Sequence, residues 1–424
     1  MSLKESFLYE SFMFKEILKK ENIQAAYFDL VAKFDEESKS SKYSGIDALC
    51  LNDFNINSAK ILRKIRRELI ELKPLTSAIE FIIPKKRGGE RKIYIYTVQD
   101  RIKAQAIFRI LEPFFGEQYS SFLFSYRSSH PSYYAAKSVV KRYKKHFGQD
   151  NIFCADISDY TESIEKGILI QKLKDLGLEK GVLELLNLFI NNSIVSDGKI
   201  KYWNKGVVQG VPVITFFANI YLNDLDKYVG KKVSFYRRVG DDFIVFDKDV
   251  QKVKEIREFI LKEVKELGLN ISKHKTKLIK SNEDFTFLGY DFHNNKISIN
   301  KFSIDKTIGL WKRKLKYYNV GDKKKVSRLK KILYQDQNCI HNQFIEFISS
   351  YRQVNDKKQI KALSEKFFRL LTKYFFKTYS SRNQRLTKDI LKGIRIPSLY
   401  QYFLDFHNGK KSITKLSLSK KKFN

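Results

Sequence analysis

Three acidic residues are placed where this sequence could do chemistry. Asp156 closes the apolar run "NIFCADI", and Asp241 and Asp242 sit side by side in "FYRRVGDDFIVF", between aromatic and β-branched residues that read as the two strands of a hairpin. An acidic turn between extended runs puts both carboxylates at a hairpin tip, and a neighbouring strand ending in Asp156 would bring a third alongside. Carboxylates that close repel one another unless cations bridge them. Mg2+ is the natural neutraliser, with Mn2+ as the alternative, because hard oxygen ligands with open water positions suit it. Two such ions about 3.5–4 Å apart activate an attacking hydroxyl and stabilise a leaving pyrophosphate. Gly240 gives the turn permissive dihedrals and lets a ligand come close. An isolated Gly-Asp-Asp is equally an ordinary solvated turn, so the flanking strands and the order of the other segments carry the distinction.

The elements that must position these acids follow from periodicity. Residues 1–75 read as charged amphipathic helices ending in "SAKILRKIRRELIEL" before Pro74. "AIEFIIP" and "RKIYIYTV" read as a hairpin around the basic tip "KKRGGE", and "DRIKAQAIFRILEPFF" as a helix stopped by Pro113 and the glycine after it. Two helices are expected in "EKGILIQKLKDLGL" and "KGVLELLNLFINN", and a hairpin in "IVSDGKIKYW" with Asp197 and Gly198 at its turn. Helical spacing returns in "PVITFFANIYLNDLDKYV", and a strong helix spans Val250 to Leu267. Strands interleaved with helices, with acids at strand ends, describe an α+β domain carrying a site on its rim.

The formal charge of +34, from 81 Lys and Arg against 47 Asp and Glu, is spread over the whole chain and points to a polyanionic partner. Cys50, Cys154 and Cys339 have no metal or disulfide spacing, which suits a reducing, cytoplasmic setting. The longest uncharged run, Val207 to Leu222, is shorter than the roughly 20 residues of a membrane span. A soluble protein with no membrane partner is expected.

The segments arrive in an order that resembles the fingers and palm of bacterial reverse transcriptases related to group II intron and retron enzymes. "IPKKRGGERKIYI", "VQDRIKAQAIFRILEPFF" and "FSYRSSHPSYYAA" resemble the fingers motifs of that family, and "DISDYTESI" its first palm acid motif. "QGVPVITFFANIYLNDLD" is similar to its Gln-Gly-x-Pro helix, "RRVGDDFIVF" to its Asp-Asp hairpin, "LGLNISKHKTKLI" to its lysine motif and "FLGYDF" to its primer-grip strand. The resemblance covers about residues 80–295. It implies a right-hand polymerase: an N-terminal helical segment (1–75), fingers and palm built on antiparallel sheet (76–300), and a basic helical thumb or C-terminal domain (301–424). It also implies an RNA-directed DNA polymerase that uses dNTPs and Mg2+, takes an RNA template, and makes DNA. An RNA polymerase, a template-independent nucleotidyltransferase and an RNA-binding protein that has dispensed with catalysis are the alternatives on the same fold.

Carried onto this sequence, the resemblance makes Asp156, Asp241 and Asp242 metal-binding and catalytic, and adds Ile157 to the metal set. Lys85 and Arg91 would grip the triphosphate, Gln209 and Gly210 would lie against the nascent base pair, and Lys275 would be an acid near the departing pyrophosphate. Departures are specific. Val239 stands where an aromatic usually precedes the acids, and Ile214 and Thr215 replace a Ser-Pro. Thr161 occupies the place of the aromatic gate against the ribose 2′-hydroxyl, with Tyr160 beside it as the alternative. Retron signatures and a zinc-type endonuclease region are missing from the sequence, so the remaining resemblance is to freestanding, defence-associated enzymes that work with a structured non-coding RNA, as monomer or homo-oligomer. In the last third, basic residues alternate with aromatics at helical spacing, which reads as helices with a packed aromatic face and a phosphate-binding face.

Overall fold

Four N-terminal helices, α1 (Phe12–Leu18), α2 (Lys20–Lys33), α3 (Leu51–Phe54) and α4 (Ser58–Ile70), lay apolar faces around α5 (Val98–Phe115). The computed structural model describes residues 12–33, 44–54, 58–84, 90–127, 130–317, 340–393 and 397–408. By internal contacts the chain divides into two units, residues 1–135 with 151–279, and residues 136–150 with 280–424.

In the first unit α5 is the central helix, with Ile102, Ala104, Ala106, Ile107 and Leu111 all buried. It starts at Thr97, whose hydroxyl accepts the Asp100 N–H. It does not stop at Pro113 but runs on to Phe115, and Gly116 closes it by donating to the Glu112 carbonyl at 2.7 Å. Proline removes one donor from the ladder, and this close to the C-terminus little helix remains to be disrupted. Buried Lys103 ties α5 to α4 by pairing with Asp100 at 2.9 Å and Glu68 at 3.0 Å.

The predicted basic-tipped hairpin forms β1 (Ala78–Pro84) and β2 (Glu90–Ile95), paired antiparallel from Ile79 opposite Ile95 to Pro84 opposite Glu90. The tip, residues 85–89, lies outside the described residues. A sheet of order β2-β1-β4-β5 joins it to β4 (Ile194–Ser196) and β5 (Lys199–Lys201), which are connected through Asp197 and Gly198, both at positive φ (+54° and +73°). Two left-handed residues make the turn that matches strand twist.

The second sheet carries the acids. β3 (Asn151–Ser158) is buried at every residue but its last, which explains its continuous apolar run. It lies between β7 (Asp242–Asp247) and β8 (Asn270–Ile271), with β6 (Phe235–Val239) outside β7, and β9 (Lys277–Lys280) also pairs with β3. Helices α6 (Ser132–Lys145), α7 (Lys166–Asp175) and α8 (Lys180–Ile190) complete the connections. The helical spacing after Val211 is realised as two helices, α9 (Pro212–Tyr221) and α10 (Asn223–Lys232), broken at Leu222. α11 (Val250–Glu266) covers β3 and β7 with Val253, Ile256, Ile260 and Val264, a spacing of three and four residues.

Behind β6 lies an ion pair wholly removed from water. Arg238 and Asp226 are both 0% exposed. The guanidinium reaches both carboxylate oxygens at 2.6–2.9 Å, and Tyr236 donates to the same carboxylate at 2.8 Å. Arg238 also donates to the Gly240 carbonyl at 2.9 Å, linking α10 to the acidic turn.

The second unit contains a meander, β10 (Phe285–Phe287), β11 (Tyr290–His293) and β12 (Lys296–Ile299). "FLGYDF" is therefore a hairpin and not one strand: Leu288 and Gly289, at φ +48° and +83°, turn between Phe287 and Tyr290. Phe285 and Phe292 stack at 4.3 Å, and Tyr143 meets both edge-on. Its described helices include α12 (Lys301–Tyr317), α13 (Ile340–Ser350), α14 (Lys357–Phe376), α15 (Ser381–Gly393) and α16 (Leu399–His407). Trp311 is fully buried with Phe344, Phe347 and Phe367 around it, the aromatic core the spacing suggests.

Asp226→Asn strands a buried guanidinium by removing its partner's whole negative charge. It should cost the first unit about 3–5 kcal/mol, read as a lower urea midpoint, whereas Asp226→Leu with Arg238→Met should cost clearly less.

Candidate active site

The acids converge because three pieces of backbone are in register. Asp156 lies directly opposite Asp242 in the antiparallel ladder, and Val239 faces Asp242 from the other side, so Gly240 and Asp241 alone make the turn. Gly240 sits at φ +64° with open space where a side chain would project, so here glycine is required by its dihedral. A glycine first in a two-residue loop suits a type II′ turn. The Asp241 carbonyl then accepts the Ile157 N–H at 3.1 Å, which ties the turn to the end of β3. As a result, one carboxylate oxygen from each of Asp156, Asp241 and Asp242 lies within 4.8 Å of the others.

Their electrostatics show what that proximity costs. Burial, followed by the charges of Asp241 and Asp156, pushes the Asp242 carboxyl from 3.8 up to about 7. Burial and Asp156 raise Asp241 as well, opposed by Lys275 and by Arg238 behind the turn. Lys275 places its ammonium 2.5 Å from Asp156 Oδ2. Burial works against that charge, but its hydrogen bond to Asp156 and the three carboxylates more than offset it, so the ammonium is held above its ordinary range. Converging hard oxygens with unbalanced negative charge fit a divalent cation.

Around the acids, the expected nucleotide residues divide. Lys85 lies outside the described residues. Arg91 is on β2, exposed, opposite Ile83. Thr161 opens a short 3-10 turn after β3, and its hydroxyl accepts a hydrogen bond from the Gln209 amide. Gly210 stands at φ +121°, and a side chain there would meet the Tyr94 carbonyl at 2.7 Å, so the close approach it allows is to β2 itself. The Tyr96 hydroxyl fastens the same loop by donating to the Val208 carbonyl at 2.7 Å. Tyr160 does not serve as the alternative gate: it is buried, and its hydroxyl donates to the Ala218 carbonyl at 2.6 Å. β3 ends at Ser158, and the left-handed Asp159 (φ +45°) turns the next residue inward.

Arg238, Asp226 and Tyr236 are absent from the sequence-level site. Period-two alternation along "FYRRV" does put Arg238 on the same inward face as Tyr236, but which acid meets it is a long-range matter.

Residues 83–292 match the family described as reverse transcriptase (RNA-dependent DNA polymerase). Protein YkfC of Escherichia coli is 23% identical over 301 residues, covering 61% of this chain and 78% of that protein. A putative COX1/OXI3 intron 2 protein of Saccharomyces cerevisiae is 25% identical over 210 residues, 49% of this chain but 23% of the yeast protein. A solved structure of apo telomerase from Candida tropicalis aligns over 88% of this chain and 72% of its own, with TM-score 0.46 and 12% identity.

Because the folded carboxyl of Asp242 is raised, it favours the metal-free fold at acid pH, and that support is lost as pH climbs from about 4 through about 7. Asp242→Asn should therefore raise the melting temperature of metal-free protein at pH 8 by about 2–4 °C while abolishing stabilisation by added Mg2+, measured by scanning calorimetry with EDTA or MgCl2.

Proposed function

We infer, for a chain that carries a reverse transcriptase domain over residues 83–292 and is thereby a nucleotidyltransferase of the RNA-directed DNA polymerase class, that the three converging carboxylates are its catalytic centre. The observation that carries this is the 4.8 Å cluster on a strand and a turn held in register. Asp156, Asp241 and Asp242 would hold the divalent cations, Mg2+ or Mn2+, with Ile157 joining from the main chain. Bound there, such ions supply charge stabilisation to an attacking hydroxyl and a leaving pyrophosphate.

The chain's own residues orient and move protons. The 3′ oxygen of a primer forms a bond to the α-phosphorus of a nucleoside triphosphate, the bond from that phosphorus to the pyrophosphate oxygen breaks, and the hydroxyl proton passes to solvent water. Lys275, kept protonated beside Asp156, is assigned the proton delivered to pyrophosphate. Lys85 and Arg91 are assigned the triphosphate, as point charge and fork respectively. Gln209 and Gly210, on a loop fastened to β2, are assigned the nascent base pair.

A narrower reading concerns the sugar. With Tyr160 turned inward and Thr161 bonded to Gln209, the gate position presents a small polar pair and no ring. This favours tolerance of ribonucleotides. The template is read as RNA from the resemblance to RNA-dependent DNA polymerases, and the +34 charge supports a polyanionic partner of either kind. A structured non-coding RNA and a role in defence against phage belong to the same reading, supported by the motif resemblance alone.

On an RNA template with a DNA primer and Mg2+, Asp241→Ala with Asp242→Ala should lower extension by at least about 10³-fold. Loss of phage protection in the same double variant checks the defence role; protection that survives would mean synthesis is dispensable. Substituting Thr161→Phe should lower rNTP use relative to dNTP by about 10-fold or more, measured as a ratio of kcat/KM values.

A further inference from the structure

We propose that Tyr126 is a nucleotide-binding residue, whose ring stacks on the base of the incoming nucleoside triphosphate at the lip of the carboxylate cluster. This deepens the polymerase reading and rests on it.

The segment before it is built into the palm. Leu123 bridges Arg238, the Phe122 carbonyl accepts the Arg238 N–H at 3.0 Å, and the Phe124 N–H donates to the Arg238 carbonyl at 2.9 Å. The segment thus runs beside β6 two residues before the acidic turn. Both neighbours of Tyr126 are pinned inside. Ser125 is buried, and its hydroxyl and carbonyl bond the Asn219 side chain at 3.2 and 3.0 Å. Arg127 is buried and donates to the carbonyls of Ser120 at 2.9 Å and Gly116 at 2.7 Å.

Between these anchors Tyr126 takes φ +56° and leaves its ring 58% exposed. A left-handed tyrosine is an unfavourable backbone state that persists only where the surroundings over-determine it. Core packing does not need this ring, since most of it faces solvent. The phenol end is more crowded: burial and then the Asp241 charge raise it, while Arg91 and Arg238 act in the opposite direction. The placement itself comes from the pairing of residues 122–124 with Arg238, two residues before the acidic turn, and the influence of Asp241, Arg91 and Arg238 on the phenol agrees with it. A flat aromatic surface held rigid at that place stacks on any base, which suits an enzyme that must accept all four.

Tyr126→Asn removes the ring with a residue that tolerates the left-handed backbone, Tyr126→Gly does so without a side chain, and Tyr126→Phe keeps the ring. In RNA-templated extension, Asn and Gly should each raise KM about 10- to 100-fold for all four dNTPs with kcat within about threefold, and Phe should match the parent. Melting temperature and primer–template affinity should stay unchanged. An unchanged KM in both ring-less variants overturns the proposal, as does weakened primer–template affinity with KM unaffected, which would assign the ring to the template. Equilibrium binding of each dNTP with Mg2+ provides a readout without turnover: a protein that binds dNTPs through Tyr126 but extends nothing refutes the polymerase reading, whereas extension indifferent to the ring refutes this inference alone.

Discussion

A buried guanidinium governs the geometry of this protein's acidic turn. Arg238 is removed from water together with Asp226, an arrangement whose desolvation is offset only by good geometry and by the satisfaction of nearly every donor. Here the carboxylate is met from two directions by Arg238 and a third time by Tyr236. The same guanidinium holds the Gly240 carbonyl, and the same residue's main chain exchanges hydrogen bonds with the Phe122–Phe124 segment. One side chain thus couples α10, β6, the turn and the neighbouring segment. Together with the Ile157 N–H on the Asp241 carbonyl, that coupling fixes the backbone of the acidic turn.

Against this rigid backing, the cluster of carboxylates is a local destabilisation built into a stable frame. Burial and mutual repulsion hold Asp241 and Asp242 above the ordinary carboxylate range. Positive charge from Lys275 and Arg238 relieves part of it. Lys275 is the adjustable part, since its side chain is more than half exposed while Arg238 is enclosed. Such a division, one fixed charge behind the site and one movable charge in front, suits a site whose counter-charge has to change during a reaction cycle.

The nucleotide side is organised by smaller contacts. Tyr96 and Gly210 fasten the Val208–Gly210 loop to β2, and Gln209 bonds Thr161 across to the end of β3. The β1–β2 hairpin and the end of β3 therefore meet through this loop and also directly, where the Tyr94 hydroxyl donates to Glu162 at 3.1 Å. Asp159, left-handed, sends Tyr160 into the core and leaves Thr161 outside.

Much of this was legible in the residues themselves. The alternation around Gly240 and the apolar run ending in Asp156 determined strands with acids near their ends, because side-chain period is a local property, but the acid pair suggested a turn at Asp241 and Asp242, whereas register puts Asp242 in the ladder and makes Gly240 and Asp241 the turn. The Asp197–Gly198 hairpin and the buried aromatics around Trp311 follow from the same local rules. Persistence of α5 through Pro113, the inward turn of Tyr160 and the partner of Arg238 were not legible, since each depends on packing between segments far apart in the chain. Residue types and spacing determined that three carboxylates could meet. Only the tertiary structure decided that they do, Asp156 and Asp242 opposite one another in a strand ladder and Asp241 in the turn beside them, because register between β3 and β7 and the pairing of Arg238 with Asp226 on α10 are set by contact between separate elements.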